Sequence, residues 1–69
     1  MNAPPCGRNM EACRQELGLS AAEAARRIGV EPITFYRWRE ETVIPKWENV
    51  VSASKIFRKE PGWFYGENA

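Results

Sequence analysis

The sequence predicts an all-α domain, organised as four short helices and a last short turn. Apolar residues recur at helical spacing through most of the chain, glycine and proline divide it into short segments, and no alternating strand of useful length is present. A chain of 69 residues has room for one domain. The predicted boundaries are a flexible arm over residues 1–8, the helical domain over 9–66 and a tail over 67–69.

The predicted arm contains Pro4, Pro5 and Gly7, a composition that favours an extended and flexible segment. We expect Cys6 to be an exposed thiol in this arm and Cys13 to be a small buried hydrophobic residue. If both cysteines lie on one helix, they are about 10 Å apart along its axis. A disulfide requires Cα atoms within about 7 Å, so such a pair is not bridged.

Helices one and two are separated by a glycine and a capping sequence. Gly18 is placed to end helix one. The Ser20 hydroxyl can then accept from the backbone near Glu23, and Glu23 can reach back, as in a capping box. The apolar stripe of helix one is Met10, Cys13 and Leu17. The inner face of helix two is Ala24, Ala25 and Ile28.

Helix three is predicted from about Pro32 to Glu40, because proline fits the first helical position. Phe35 and Trp38 share one of its faces. The other face consists of Pro32, Ile33, Tyr36, Arg37 and Glu40. Residues 41–44 form a loop before helix four. The inner stripe predicted for helix four is Trp47, Val50, Val51, Ser54 and Phe57.

Two short helices joined by a tight glycine turn form a helix-turn-helix arrangement. The steep crossing of the helices needs a small residue, which is Ala25, and the turn needs a residue that tolerates positive φ, which is Gly29. The apolar residues that lock the pair are Ile28, Val30, Phe35 and Trp38.

Three stretches resemble the Xre/Cro-type, lambda-repressor-like helix-turn-helix domains: GLSAAEAARRIGVEPITFYRW, IPKWENVV and PGWFYG. The resemblance covers residues 9–66 without a gap. It implies a compact five-helix domain that binds double-stranded DNA, usually as a dimer on a two-fold site, in a bacterial transcription regulator such as a phage or mobile-element repressor. The residues that match the family pattern are Gly18, Leu19, Ser20, Ala25, Gly29, Trp38, Pro45, Glu48, Asn49, Pro61 and Trp63. The resemblance implies that Trp38 and Trp63 belong to the core.

A second resemblance is to the MerR/excisionase winged-helix start, through AARRIGVEPITFYRW followed by VIP. That family requires a β-wing after the second pair of helices. KWENVVSASKIF has helical periodicity instead, which favours the first resemblance.

The exposed face of helix three is the candidate base-reading surface, because a helix of this size fits the major groove. Its candidate base-reading residues are Pro32, Ile33, Tyr36 and Arg37. Phosphate contacts are expected at helix N-termini, where free N–H groups point outward. The candidates there are Ser20, Ala21, Lys46 and Trp47.

Some positions depart from the family pattern. Ala21 replaces a glutamine that often opens helix two, and Glu40 and Glu41 place acidic groups where cations could touch phosphate. Arg14 would face Arg39 as a like-charge pair unless Glu11 or Glu40 intervenes. A net charge of +1 also argues against bulk electrostatic binding of nucleic acid, although a local basic face could still exist.

These departures keep a second function open, in which the helix-turn-helix serves as a protein-interaction module with weak or no DNA binding. A core this small would gain from dimerisation. The surplus apolar groups expected at a homodimer or protein-partner surface are Val43, Ile44, Phe64 and Tyr65.

Composition limits the chemistry. The chain has no His and no Asp, which excludes a Ser-His-Asp triad and His-containing zinc sites. Two cysteines alone do not complete a four-ligand metal site. We therefore expect no enzyme activity, no metal and no cofactor. No apolar run is long enough to span a membrane, and no secretory signal is recognised, so we expect the protein in the cytoplasm, at the bacterial nucleoid.

Overall fold

Four α-helices followed by a short 3-10 helix make up the fold in the computed structural model, which describes residues 4–68. The elements are α1 (Cys6–Leu17), α2 (Ala21–Ile28), α3 (Pro32–Arg39), α4 (Trp47–Phe57) and the 3-10 helix (Pro61–Tyr65). The predicted all-α class is confirmed. The count of five helices implied by the family resemblance is slightly wrong, because the fifth element is a single 3-10 segment from Pro61 to Tyr65.

Residues 4–68 contain no strand, so the β-wing of the winged-helix alternative is not found within them. The segment in which that wing would start forms α4 instead. None of the helices within the same residues has the length and apolar character needed to cross a membrane.

Local sequence signals end the first two helices where they were expected to. Gly18 (φ 70°) and Gly29 (φ 99°) both adopt the left-handed conformation that glycine tolerates without steric cost. The Ser20 hydroxyl accepts a 3.0 Å hydrogen bond from the Glu23 backbone N–H and so caps α2. The capping residue of α2 was therefore predicted correctly, but the reciprocal contact was not, because the Glu23 carboxylate accepts from Arg26 and Arg27 instead.

All four α-helices and the 3-10 helix contribute to one apolar core. α2 and α3 pack together as the helix-turn-helix pair, α1 packs on α3, and α4 packs on α1 and α2. The 3-10 helix covers α1 and α4. The buried apolar residues are Cys6, Met10, Cys13, Ala24, Ala25, Ile28, Phe35, Trp38, Val50, Ala53, Phe57 and Phe64. Val30 and Trp63 are partly buried and pack against this cluster.

The N-terminal segment differs from the predicted arm. α1 begins at Cys6, preceded by a buried Pro5, so residues 6–8 belong to the helix; residues 1–3 lie outside the described residues. Cys6 is fully buried and is not an exposed thiol. Burial raises the pKa of the Cys6 and Cys13 thiols, and both cysteines are free. Gly7 marks a close helix contact rather than flexibility, since it faces the Trp38 carbonyl.

Three apolar side chains lie elsewhere than expected. Leu17 is 52% exposed because α1 ends there and the chain turns away at Gly18. Trp47 is 60% exposed at the first position of α4, where it stacks on Tyr65 (ring centroids 6.2 Å apart) instead of entering the core. Phe64 is fully buried, so it was wrongly assigned to an exposed partner surface. It packs against Phe57 in α4, with ring centroids 6.4 Å apart.

Asn9 joins the two ends of the domain. Its Nδ2 amide donates to the backbone carbonyl oxygens of Phe64 (2.9 Å) and Gly66 (2.8 Å). Beside it, Arg8 forms a 2.7 Å ion pair with Glu67. The beginning of the predicted tail is therefore held against α1, while Ala69 lies outside the described residues.

Candidate nucleic-acid interface

The exposed face of α3 carries the predicted base-reading residues. Pro32 occupies the first turn, and Ile33, Tyr36 and Arg37 follow along the same solvent-exposed side. Phe35 and Trp38, on the opposite side, are buried. An eight-residue helix is about 12 Å long, which suits insertion into a major groove.

Arg37 differs from the arginines of α2 in its bonding. Within residues 4–68, the Arg37 guanidinium makes no ion pair and no hydrogen bond. Arg26 and Arg27 instead both bind the Glu23 carboxylate, and these bonds lower the pKa of Glu23. The Glu23 carboxylate is thus engaged with arginines, and the positive charge of the outer face of α2 is partly neutralised. Arg37 keeps its donors available for a ligand.

The Tyr36 ring, on the exposed face of α3, contacts another side chain of the same helix. The Arg39 guanidinium lies over its ring, 4.7 Å from the centroid, and Arg39 Nη1 is 3.8 Å from Glu11 Oε2 in α1. The expected like-charge pair of Arg14 and Arg39 is therefore separated by Glu11. The hydrogen bonds from Arg14 hold the pKa of the Glu11 carboxyl below its ordinary value.

The two helix starts proposed as phosphate contacts are exposed to different degrees. Ser20 is exposed and its oxygen already accepts the capping hydrogen bond, while Ala21 is half-buried against the core. At the start of α4, Lys46 and Trp47 are both exposed. Backbone N–H groups in the first turn of a helix have no intrahelical partner, so both starts can offer donors to an anion.

The end of α3 brings acidic groups close to the candidate base-reading face. Glu40 caps the helix, and Glu41 adopts the left-handed conformation with φ 62°. The backbone N–H of Glu41 donates to the Trp38 carbonyl (3.0 Å) and that of Thr42 to the Arg37 carbonyl (3.0 Å). This is the Schellman pattern of helix termination, with glutamate at the position that glycine usually occupies.

Most of the apolar side chains expected at a partner surface are exposed. Val43, Ile44 and Tyr65, expected at a partner surface, are all exposed. Sequence reasoning missed the exposure of Trp47 beside Tyr65, because the helical period of α4 places Trp47 on the apolar stripe without indicating that the core ends before it. No signal in the sequence indicated the Arg39–Tyr36 contact beyond their spacing of three on one helix.

Two solved structures of the P22 c2 repressor have the same fold as this chain. One is the repressor in complex with synthetic operator 9T in the presence of Tl+, with a TM-score of 0.84 and 21% sequence identity, covering 96% of this chain and 100% of that one. The other is the solution structure of its DNA-binding domain, with a TM-score of 0.81 and 22% identity, covering 100% of this chain and 96% of that one.

No protein-family model matches the sequence, and no curated protein matches it. The structural similarity extends over nearly the whole length of both chains, and it includes the helix-turn-helix pair and the helices that support it. The fold resemblance predicted from the three sequence stretches is therefore confirmed: this chain has the lambda-repressor-like helix-turn-helix fold.

Proposed function

We propose that the protein is a sequence-specific regulator of transcription that binds double-stranded DNA through α3 in the major groove. The observation that carries this proposal is the solvent-exposed face of α3, where Arg37 has no partner within the described residues. The fold supports it, since one P22 c2 repressor structure with that fold is a complex with operator. Its site of action would be the bacterial nucleoid.

Each base-reading residue has a chemistry that suits a base edge. Arg37 can donate two hydrogen bonds to the O6 and N7 atoms of a guanine. Ile33 can contact a thymine methyl group, and the Tyr36 hydroxyl can bond a base edge or a phosphate. Pro32, in the first turn, lies beside them and adds apolar contact.

Phosphate contacts would set the register of the protein on the duplex. The exposed Lys46 is the strongest candidate because it combines a charge with the free N–H groups at the start of α4. Trp47 follows it, and its indole N–H can donate to a phosphate oxygen. Ser20 and Ala21 would contribute backbone donors at the start of α2.

The regulator would act as a homodimer on a two-fold site, repressing or activating by occupying a promoter region. The exposed Val43, Ile44 and Tyr65 are the surface we assign to the partner copy. Two α3 helices would then enter successive major grooves about one helical turn apart.

Selection of bound duplexes from a random DNA pool at near-physiological salt tests this proposal. We expect an enriched two-fold motif with half-sites about one helical turn apart. Arg37→Ala should weaken the free energy of DNA binding by about 1–3 kcal/mol and relax specificity at one base pair. Lys55→Ala is the matched control, because it removes one exposed positive charge from α4 and leaves α3 unchanged. Loss of selectivity in both variants, or in neither, would show that the reading face is wrongly assigned.

A second candidate is a protein-interaction module. It is favoured by the exposed Glu40 and Glu41 at the end of α3 and by the apolar Val43 and Ile44 that follow. Salt dependence separates the two candidates, because DNA binding weakens steeply as salt rises whereas an apolar protein contact does not. If no motif were enriched, this function would be preferred.

A further inference from the structure

We propose that Arg39 is a positioning residue that holds the Tyr36 ring on the reading face and thereby sets the base preference at the position that Tyr36 contacts. This inference rests on the proposed DNA-binding function. It assigns to Arg39 a role in selectivity that does not require Arg39 to touch the DNA.

The geometry places Arg39 between the Tyr36 ring and the Glu11 carboxylate. Its guanidinium lies 4.7 Å from the centroid of the Tyr36 ring, one helical turn earlier in α3. Its Nη1 lies 3.8 Å from Glu11 Oε2, which belongs to another helix. Because a planar guanidinium can stack on an aromatic face while it pairs with a carboxylate, Arg39 links the reading face to α1.

The Glu11 carboxylate that pairs with Arg39 is itself held in one position by Arg14. Arg14 Nε donates to Glu11 Oε1 (2.8 Å) and Arg14 Nη2 to Glu11 Oε2 (2.6 Å), a two-point contact. Arg14 Nη1 also donates to the Leu19 carbonyl oxygen (2.6 Å) in the turn between α1 and α2. The chain of contacts therefore runs from this turn, through Glu11 and Arg39, to Tyr36.

Without this support, an exposed tyrosine would populate several χ1 rotamers. If the Tyr36 ring already occupies one rotamer before binding, less side-chain entropy is lost when the complex forms. A cation–π contact at an exposed site changes the population of the favoured rotamer by about two- to fivefold. We expect an effect of that size on the discrimination at one base pair.

Arg39→Lys is the decisive variant, because lysine keeps the positive charge but lacks the planar guanidinium that stacks on the Tyr36 ring while it pairs with Glu11. The selected motif and the salt dependence of binding would be compared with those of the wild-type protein. We expect about two- to fivefold weaker discrimination at the base pair that Tyr36→Ala also affects, with the salt slope unchanged. In the Tyr36→Ala background, Arg39→Lys should have no further effect on selectivity. Thermal unfolding of each variant checks that the fold is kept.

Two outcomes would overturn the inference while leaving the proposed function intact. One is that Arg39→Lys selects the same motif as the wild-type protein. The other is a uniform loss of affinity in Arg39→Met, accompanied by a lower salt slope and rescued by Arg39→Lys, which would make Arg39 a phosphate contact. If the wild-type protein enriched no motif, the proposed function itself would fail, and the role of Arg39 would fail with it. The NMR shifts of the Arg39 side-chain protons, moved by the Tyr36 ring current in the wild type and restored in Tyr36→Ala, test the contact without DNA.

Discussion

Gly7 lies directly against the Trp38 carbonyl group: a β-carbon on Gly7 would be 1.7 Å from the carbonyl oxygen and 2.3 Å from the carbonyl carbon. The first turn of α1 therefore touches the backbone of the last turn of α3, with no space for a side chain between them. This contact sets the distance between α1 and α3, the helix that we propose reads the bases.

Gly7→Ala should destabilise the protein by about 1–3 kcal/mol, because the backbone must shift to admit the methyl group. At an unhindered helical position the same change would stabilise by about 0.5–1 kcal/mol, so the sign of the effect is diagnostic. Urea unfolding followed by tryptophan fluorescence measures it. Gly62→Ala is the control, since nothing lies within 4 Å of a β-carbon there. Equal stability of the two variants would contradict the close approach.

Asn9→Ala should destabilise the domain by about 1–3 kcal/mol, since it removes the side-chain donor of the buried Phe64 carbonyl and one of the two donors of the Gly66 carbonyl, which also accepts from the Asn68 backbone N–H. Thermal unfolding by circular dichroism measures the loss. Asn68→Ala removes an exposed amide that donates to the Trp63 carbonyl, and it should change stability by less than about 0.5 kcal/mol. A similar loss of stability in both variants would show that the buried hydrogen bonds of Asn9 stabilise the domain no more than an exposed one does.

Glu11→Gln should destabilise the protein by about 1–2 kcal/mol at pH 7, because the Arg14 guanidinium loses its charged acceptor. The folded protein lowers the pKa of Glu11 from its ordinary value of 4.5, so this stabilisation is present above that pH. It is lost as the pH falls through the lowered pKa.

The difference in unfolding free energy between wild type and Glu11→Gln should therefore shrink on acidification. Urea unfolding at several pH values from neutral downward measures it. Glu16→Gln, which changes an exposed carboxylate on the same helix, serves as the control. A constant difference across the whole range would disprove the role of the Glu11 charge.

Glu41→Gly should stabilise the protein by about 1 kcal/mol, because glycine adopts the positive φ of 62° without the steric cost that glutamate bears. It should also strengthen DNA binding, since one negative charge beside the reading face is removed. Glu41→Gln separates the two effects: it removes the charge but keeps a side chain at positive φ. We expect Glu41→Gln to bind DNA as Glu41→Gly does, with no comparable gain in stability. If glutamine stabilised equally, the backbone strain would not be the cause.

The sequence predicts best those parts of the fold that depend on near neighbours in the chain. Gly18, Ser20 and Gly29 act within a single turn, and their effect on helix ends was predictable. Cys6 and Gly7 were misread, because a proline-glycine segment favours an arm unless a distant partner covers it. That partner is Trp38, more than 30 residues away along the chain.

Two aromatic residues, one at the candidate site and one in the core, show the same limit. Trp47 follows the helical period of α4, yet its exposure depends on where the core ends, which is a property of the packed helices. Phe64 lies in a 3-10 helix with about three residues per turn, so the spacing of an α-helix does not indicate which side is buried. The intervention of Glu11 between Arg14 and Arg39 was foreseen as one alternative, because Glu11 and Arg14 are three residues apart on α1.

The bonds from Asn9 to Phe64 and Gly66 also constrain how the chain reaches its native state. They span 55 and 57 residues of sequence, so closing them turns almost the whole chain into a loop. The entropy of that closure is lost before the contacts can compensate for it, which favours docking of the C-terminal turn after the helices have assembled. During synthesis, the core cannot be completed until Phe64 has left the ribosome. The helices made earlier therefore lack part of their apolar packing until that point.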